Sequence, residues 1–487
     1  MNKPLRRIAL FCGFLVLALL VRDNWIQYVK ADDLNGKSLN MRTRIERYAH
    51  ERGNIIVGGK PITGSVISDS NYFKYKRTWQ DGAMWSPVTG YASQNYDANQ
   101  LEKINDDILT GNSDSLFFDR TMAMFTGEKK RGGNVITTLN ADAQKAAFDG
   151  LKGKKGAVAA LDPKTGKILA LASSPSYDPS SFAGNTKTDE KNYQVLLKDK
   201  DKPMLNRALR ETYPPGSTFK VVTASAALEN GLVSGIDEPT DSPDPYQLPG
   251  THQPLNNEGT IPCKNATLKV ALQFSCNTVF GKISNDLGNK KMIEEANKFG
   301  FNKEIFTPVR ADASVYPEDN RPQNAMAGIG QASNRATPLQ MAMVASAVAN
   351  DGKLMKPYMV DRLTAPNTDV ISKTDPEEMS RPLSAANAQN LQAMMENVVS
   401  NPQGTGNNAQ IPDVTVGGKT GTAQHGLNNS EKPYAWFISY AKVNGSAPVA
   451  VAVVVEDGSA NRDDISGGGL AAPIAKAVMQ AVINSKN

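Results

Sequence analysis

Apolar positions along the chain fall into three regimes. The first is an unbroken apolar run over residues 8–21, preceded by Lys3, Arg6 and Arg7 and followed at once by Arg22 and Asp23. The second, from about Asp33 to Arg131, is mixed and polar, with short strand-like stretches such as 54–57 and frequent glycine, the pattern of a small accessory domain. The third begins after Lys129-Lys130-Arg131-Gly132-Gly133, where long periodic segments take over. There the alternation predicts a strand over 135–139 and a helix over 142–151. Two small-apolar strands, 156–161 and 167–172, are joined by Asp162-Pro163-Lys164-Thr165-Gly166, a turn composition.

Further on, Pro214-Pro215-Gly216 leads into Ser217 and a helix that runs through Val221, Val222, Ala224 and Leu228 to a stop at Gly231. Helical periodicity recurs over 268–287, 338–350 and 385–399. The period then changes: 414–423, 434–443 and 449–455 read as three strands, with Val443-Asn444-Gly445-Ser446 as a reverse turn, and 471–483 as a closing helix. Two strands, an insertion of helices, three strands and a helix imply an α+β domain built on a five-stranded antiparallel sheet flanked by helices. The expected division is 1–32 for a cytoplasmic tip and membrane anchor, 33–133 for the accessory domain and 134–487 for the large domain.

The fourteen-residue apolar run is short for a spanning helix, which takes roughly 20 residues, and matches a leader peptide with Val29-Lys30-Ala31 as its cleavage site. Against a leader, residues 22–31 carry charges together with Trp25 and Tyr28, which suit the membrane interface, so a retained anchor is expected. The positive flank stays cytoplasmic in either case, which places everything beyond the run on the extracytoplasmic side as a single-pass protein.

At 487 residues the chain is long enough for two or three domains, and 40% hydrophobic with 21% charged residues is an ordinary globular balance. The formal net charge of +5 and the lack of a basic run interleaved with aromatics argue against a nucleic-acid partner. Three histidines, His50, His252 and His425, and three cysteines carry no metal-ligand spacing, so neither a metal nor another cofactor is expected. Cys12 lies in the apolar run. Cys263 and Cys276, thirteen positions apart in an exported chain, are a disulfide candidate that would close a short loop worth about 3 kcal/mol.

Three short patterns occur in order: Ser217-Thr218-Phe219-Lys220, Ser275-Cys276-Asn277 and Lys419-Thr420-Gly421-Thr422. Each alone is weak, because the chain also holds Ser439 to Lys442, Lys164 to Gly166, and Ser-x-Asn matches at Ser38, Ser93, Ser459 and Ser485. Lys164 belongs to a turn, and Ser439 and Lys442 sit three apart on a predicted strand, which sends them to opposite faces. On a helix the same spacing puts Ser217 and Lys220 on one face, so the amine can reach the hydroxyl, and the helix amino terminus offers free N–H groups to an oxyanion. A serine needs such a base, which a lysine supplies only when neutral, a state that burial and a nearby second cation favour by lowering its pKa; Lys419 is a candidate for that cation.

The ordered set resembles the active-site signature of penicillin-binding proteins and serine β-lactamases. The likeness extends to Thr165-Gly166, Pro175, Tyr177-Asp178-Pro179, Asn206-Arg207-Ala208, Gly330-Gln331, Thr337-Pro338-Leu339-Gln340 and Ala349-Asn350-Asp351-Gly352, as in the transpeptidase domain of class B penicillin-binding proteins. Residues 48–91 resemble the accessory domain of the penicillin-binding protein A group of actinobacteria. One departure is that Arg52-Gly53-Asn54-Ile55-Ile56 continues as Val57-Gly58, without the Asp-Arg pair many class B members carry.

The resemblance implies a serine β-lactamase/D,D-peptidase-like fold and a peptidoglycan D,D-transpeptidase acting through a Ser217 acyl-enzyme. It implies Lys220 as base, Ser275 as proton relay, Asn277 on the substrate backbone, Lys419 as the second cation, and the Ser217 and Thr422 N–H groups as oxyanion hole. Thr420, Gly421 and Thr422 would bind substrate. Its implied ligands are stem peptides ending in D-Ala-D-Ala and β-lactams as covalent inhibitors, and its implied partner a membrane glycosyltransferase. A D,D-carboxypeptidase shares the donor half-reaction. A β-lactamase is typically shorter, a β-lactam sensor would carry more spanning helices, and an assembly scaffold would tolerate loss of Ser217 or Lys220.

Overall fold

The structure, a computed structural model, describes residues 3–35, 40–426, 429–456, 461, 462 and 465–486. The Ser-x-Asn matches at Ser38 and Ser459 have their serines outside these. The amino-terminal helix Lys3–Asn24 passes into one turn of wider helix, Trp25–Val29, so that 27 residues form one apolar helix with none of its residues buried among the described residues. At a rise of 1.5 Å per residue this exceeds the roughly 30 Å of bilayer hydrocarbon. The flanking residues 3–7 and 22–29 therefore extend the fourteen-residue apolar run to spanning length.

After this helix, Met41–Arg47 folds back onto the accessory domain, where Arg47 pairs with Asp97 and, at 3.0 Å, with Asp106. Behind it lies a buried charge cluster: Glu102 is fully buried and accepts from Arg52 at 3.0 Å and from Arg77 at 2.7 Å, while Arg52 also reaches Asp106 at 2.7 Å. Buried charges persist only when paired and hydrogen-bonded. Arg52 thus has acidic partners although the Asp-Arg pair after Ile56 is missing. A five-stranded sheet runs across the Gly133 position: Val370–Lys373, Val360–Thr364, Asn134–Thr137, Ile55–Val57 and Lys60–Pro61, in that order. Segments far apart in the chain, 55–61, 134–137 and 360–373, therefore build one sheet.

The large domain is α+β, as the periodicity predicts. Its sheet is antiparallel throughout, in the order Thr415–Ala423, Tyr434–Val443, Ser446–Val455, Gly156–Leu161, Ile168–Ser174. Alternate residues point to opposite faces. Val158, Ala160, Val451 and Val453 pack on helices Ala141–Gly150 and Ala472–Lys486. Ala157, Ala159, Ala452 and Val454 face Pro338–Ala349 and the helices beyond it. Ser439 and Lys442 go to opposite sides: Ser439 meets Met479, and Lys442 bonds Gln392 and Glu396. In the Val443–Ser446 turn, Asn444 and Gly445 both take positive φ, which this hairpin type demands.

Two predicted helices change form. The 268–287 helix is in fact two, Leu268–Gln273 and Asn277–Leu287, broken at Ser275, whose φ is +61°. The helix expected from Ser217 opens with a tighter turn, Gly216–Phe219, and becomes α-helical only at Lys220–Glu229. Both breaks fall at the residues singled out for chemistry.

Candidate active site

Ser217 stands on the tight turn because its neighbours hold that turn from three directions. Gly216 adopts φ +54° and donates its N–H to Gly330 O at 2.9 Å, an approach so close that a Cβ on Gly330 would lie 2.0 Å from Gly216 O. Trp436 Nε1 donates to Pro214 O at 3.0 Å, and Thr218 Oγ1 to Pro215 O at 2.7 Å. Upstream, buried Arg207 and Tyr213 both engage Glu456, at 3.3 and 2.7 Å, which fastens the approach to the sheet. The edge strand Thr415–Ala423 runs alongside, and Gly421 faces Thr218 and Pro215 across a gap where a Cβ fits only if its neighbours shift.

The break at Ser275 brings the second pattern over the first. Lys220 Nζ donates to Ser275 O at 2.6 Å, to Ser275 Oγ at 3.2 Å and to Asn277 Oδ1 at 2.6 Å. Lys419 Nζ reaches the same Ser275 Oγ at 2.9 Å and Thr420 O at 2.9 Å. One hydroxyl thus lies between two lysines, both fully buried. The expected one-face contact of Lys220 with Ser217 is not among these bonds: the amine is turned towards Ser275 and Asn277, because positive φ at Ser275 aims both its oxygens at Lys220. Burial, and then the charge of Lys419, hold the Lys220 pKa well below its ordinary value, with Glu258 acting the other way. Burial likewise brings Lys419 down to about 7, against Glu258.

Ser217, Ser275, Asn277, Thr420, Gly421 and Thr422 line a cleft of about 510 Å³, and the two buried lysines lie behind Ser275. Ser217 itself is half-buried. Every residue of the three patterns singled out for chemistry therefore meets at one place. Thr420 Oγ1 donates to Thr405 Oγ1 at 2.8 Å, and Thr405 with Gly467 and Gly468 forms the far wall. Cys263 and Cys276 are bonded, with Cα atoms 5.6 Å apart, and tie the loop before the second pattern to its central residue. His425 lies flat on Tyr434 with ring centroids 4.0 Å apart.

Several residues of the site carried no sequence signal. Glu258, Asn256 and Asn257 belong to a polar loop without motif, yet Asn257 Oδ1 caps the Asn277 helix by accepting from the Asn277 and Thr278 N–H groups at 2.6 and 3.1 Å. Thr405 lies in a turn between a helix and the edge strand, and only the packing of the 466–468 segment shows that it faces the cleft.

Chemically, the arrangement offers a hydroxyl on a tight turn, a lysine with suppressed proton affinity, and a second hydroxyl between two amines. That is the equipment for acyl transfer through serine without histidine. The comparisons agree. Residues 156–480 match the model of the penicillin binding protein transpeptidase domain, and residues 52–135 that of the penicillin binding protein A dimerisation domain. The chain is 38% identical to the peptidoglycan D,D-transpeptidase PbpA of Mycolicibacterium smegmatis, with 99% of each covered. It is 38% identical to PbpA of Mycobacterium tuberculosis over the whole of both. The structure of penicillin-binding protein A from M. tuberculosis as a ceftriaxone acyl-enzyme superposes with a TM-score of 0.84 at 37% identity, covering 90% of this chain and 100% of that one. Its imipenem acyl-enzyme gives 0.83 at 38%, with the same coverage. On these grounds the chain belongs to the penicillin-binding protein transpeptidases, within the group of penicillin-binding protein A.

Proposed function

We propose that this chain is a membrane-anchored peptidoglycan D,D-transpeptidase that cross-links stem peptides through an acyl-enzyme on Ser217 and is inhibited when β-lactams acylate the same hydroxyl. The observation that carries this reading is the placement of Ser275 Oγ, in the cleft that holds Ser217, between buried Lys220 and Lys419.

Neutral Lys220 takes the Ser217 proton as Oγ attacks the carbonyl of the penultimate D-Ala. The contact forms as substrate enters, since catalytic hydrogen bonds are often long before substrate binds. The Ser217 and Thr422 N–H groups stabilise the tetrahedral oxyanion, Asn277 holds the peptide backbone, and the Thr420 and Thr422 hydroxyls receive the terminal carboxylate beside Gly421. Ser275 passes the proton on to the departing D-Ala amine. Burial, and then the charge of Lys419, keep Lys220 short of a full charge. An amine from a neighbouring strand then attacks the ester and loses its proton to the same base, which returns it to the departing Ser217 Oγ as the C–O bond breaks and the amide forms.

Residues 1–32 anchor the chain, 33–133 form the accessory domain and 134–487 the transpeptidase domain, on the extracytoplasmic side of a single-pass topology. Lys3, Arg6 and Arg7, in the opening turns of the 27-residue helix, support this orientation. The accessory domain meets a membrane glycosyltransferase. Exposed Phe118, Met122, Met124 and Phe125 on the helix Phe117–Thr126 support such a contact.

The test is labelling of the detergent-solubilised chain with fluorescent penicillin, followed by product analysis with a D-Ala-D-Ala donor and an added amine. Wild type labels, Ser217→Ala does not, and amide product forms. Equal labelling of both proteins removes Ser217 as nucleophile, and release of D-Ala with hydrolysis alone assigns a carboxypeptidase instead.

A further inference from the structure

Among the described residues that line the cleft around Ser217, Glu258 is the one charged side chain. It is exposed, and among the described residues no cation lies within ion-pair distance of it. The two lysines beneath are committed to Ser275, Asn277 and Thr420 and face away from solvent.

The loop that carries Glu258 is pinned at both ends to consecutive residues of the second pattern. At one end Asn257 Oδ1 accepts from the Asn277 N–H at 2.6 Å and Asn256 O accepts from Asn277 Nδ2 at 3.1 Å. At the other, Cys263 is bonded to Cys276. Glu258 follows Asn257 directly, so its backbone is held against the Ser275–Asn277 turn. A surface carboxylate on a free loop pays side-chain and backbone entropy to bind a ligand; here the backbone part is already spent.

The cleft is therefore polarised. Its far wall presents the hydroxyls of Thr405, Thr420 and Thr422 above Lys419, groups suited to a carboxylate, and the Asn277 side presents a carboxylate. A ligand lying across Ser217 meets donors at one end and an unpaired anion at the other. Burial depresses the proton affinity of both lysines, and the Glu258 charge opposes it, which places that charge within electrostatic reach of the reacting groups.

We propose that Glu258 forms an ammonium subsite of this cleft, accepting N–H bonds from a primary ammonium of the peptide substrate. The inference rests on the transpeptidase reading. The ammonium has two sources with the same chemistry: a side-chain amine on the donor stem, or the amine of the acceptor before it gives up its proton.

The test compares two acyl-D-alanyl thioester donors on the full chain in detergent, identical except that one bears a free side-chain amine and the other its N-acetyl form. The readout is the ratio of their second-order rates of Ser217 acylation, in which any change of lysine protonation cancels. A donor subsite gives wild type a ratio of about three to ten, consistent with one partly exposed charged hydrogen bond. The ratio falls to about one in Glu258→Gln, is partly restored in Glu258→Asp, and declines with added salt. An acceptor subsite leaves that ratio at one but lowers the partition of preformed acyl-enzyme from aminolysis towards hydrolysis in Glu258→Gln. If both readouts are equal in wild type and Glu258→Gln, Glu258 is a solvated surface carboxylate and the proposal is overturned. If neither donor acylates wild type, the transpeptidase reading itself fails, and the subsite with it.

Discussion

Replacing Gly421 with alanine adds one methyl group at a close approach between the edge strand and the Ser217 turn. That Cβ would lie 3.0 Å from Thr218 Cγ2, 3.1 Å from Pro215 O and 3.2 Å from Thr218 N. Carbon atoms rest at about 3.5–4.0 Å, so the gap must open by about half an ångström. Neither side can yield cheaply. The turn is held by the Gly216–Gly330 and Trp436–Pro214 bonds, and a Cβ on Gly467 would come within 2.8 Å of Gly421 O, so the chain closes on the strand from behind. The displacement therefore falls between Ser217 and Thr422, which together form the proposed oxyanion hole. A misplacement of 1 Å costs about a hundredfold in rate, so half that costs about tenfold, or ~1.4 kcal/mol. Overpacking also costs about 1–3 kcal/mol of stability. Fluorescent-penicillin acylation measured as a second-order rate, with urea denaturation of the same sample, reads both. A Gly421→Ala enzyme that acylates within twofold of wild type refutes the claim that this gap sets the geometry of attack, as does a loss no larger than the unfolded fraction explains.

Three further outcomes follow from buried groups. Lys419 titrates at about 7 when folded and near 10.5 when unfolded, so between these values the unfolded chain holds a proton that the folded chain lacks; stability rises with pH across that window, and the penalty is full below about 7. Urea midpoints at about pH 7 and about pH 9.5 should show this slope reduced, though not abolished, in Lys419→Met, because Lys220 shifts in the same direction; an unchanged slope contradicts it. Glu102→Gln leaves Arg52 and Arg77 buried without their shared anion and should cost about 3–5 kcal/mol in denaturation, a loss below about 1 showing that the cluster is solvated. The double substitution Cys263→Ser, Cys276→Ser should remove about 3 kcal/mol and slow acylation as Asn277 loosens, whereas an unaltered rate would mean the hydrogen bonds of Asn256 and Asn257 suffice.

Much of the molecule was legible in one dimension. Strand alternation separated Ser439 from Lys442, and the structure places them against different helices. Turn composition located the hairpins at 162–166 and 443–446. Less legible was the break at Ser275, since no glycine or proline marks it and the apolar period continues across it from Leu272 to Val279. Helical spacing also put Lys220 against Ser217, while a residue 55 positions away holds the amine instead. The sheet across Gly133 went unread because its partners at 360–373 lie far along the chain, and short strands pair by tertiary context more than by propensity.

Periodicity, capping and turn chemistry are local, so the order of residues alone settled the strands of the large antiparallel sheet and most of the helices around it, that one apolar helix leads the chain, and that three patterns occur in catalytic order. The proton affinity of a lysine is not local. It depends on which atoms exclude water around it, and around Lys220 and Lys419 those atoms come from three distant segments. Only the folded chain could decide that these two amines share one hydroxyl, and that a carboxylate from an unremarked loop stands at the mouth of the same cleft.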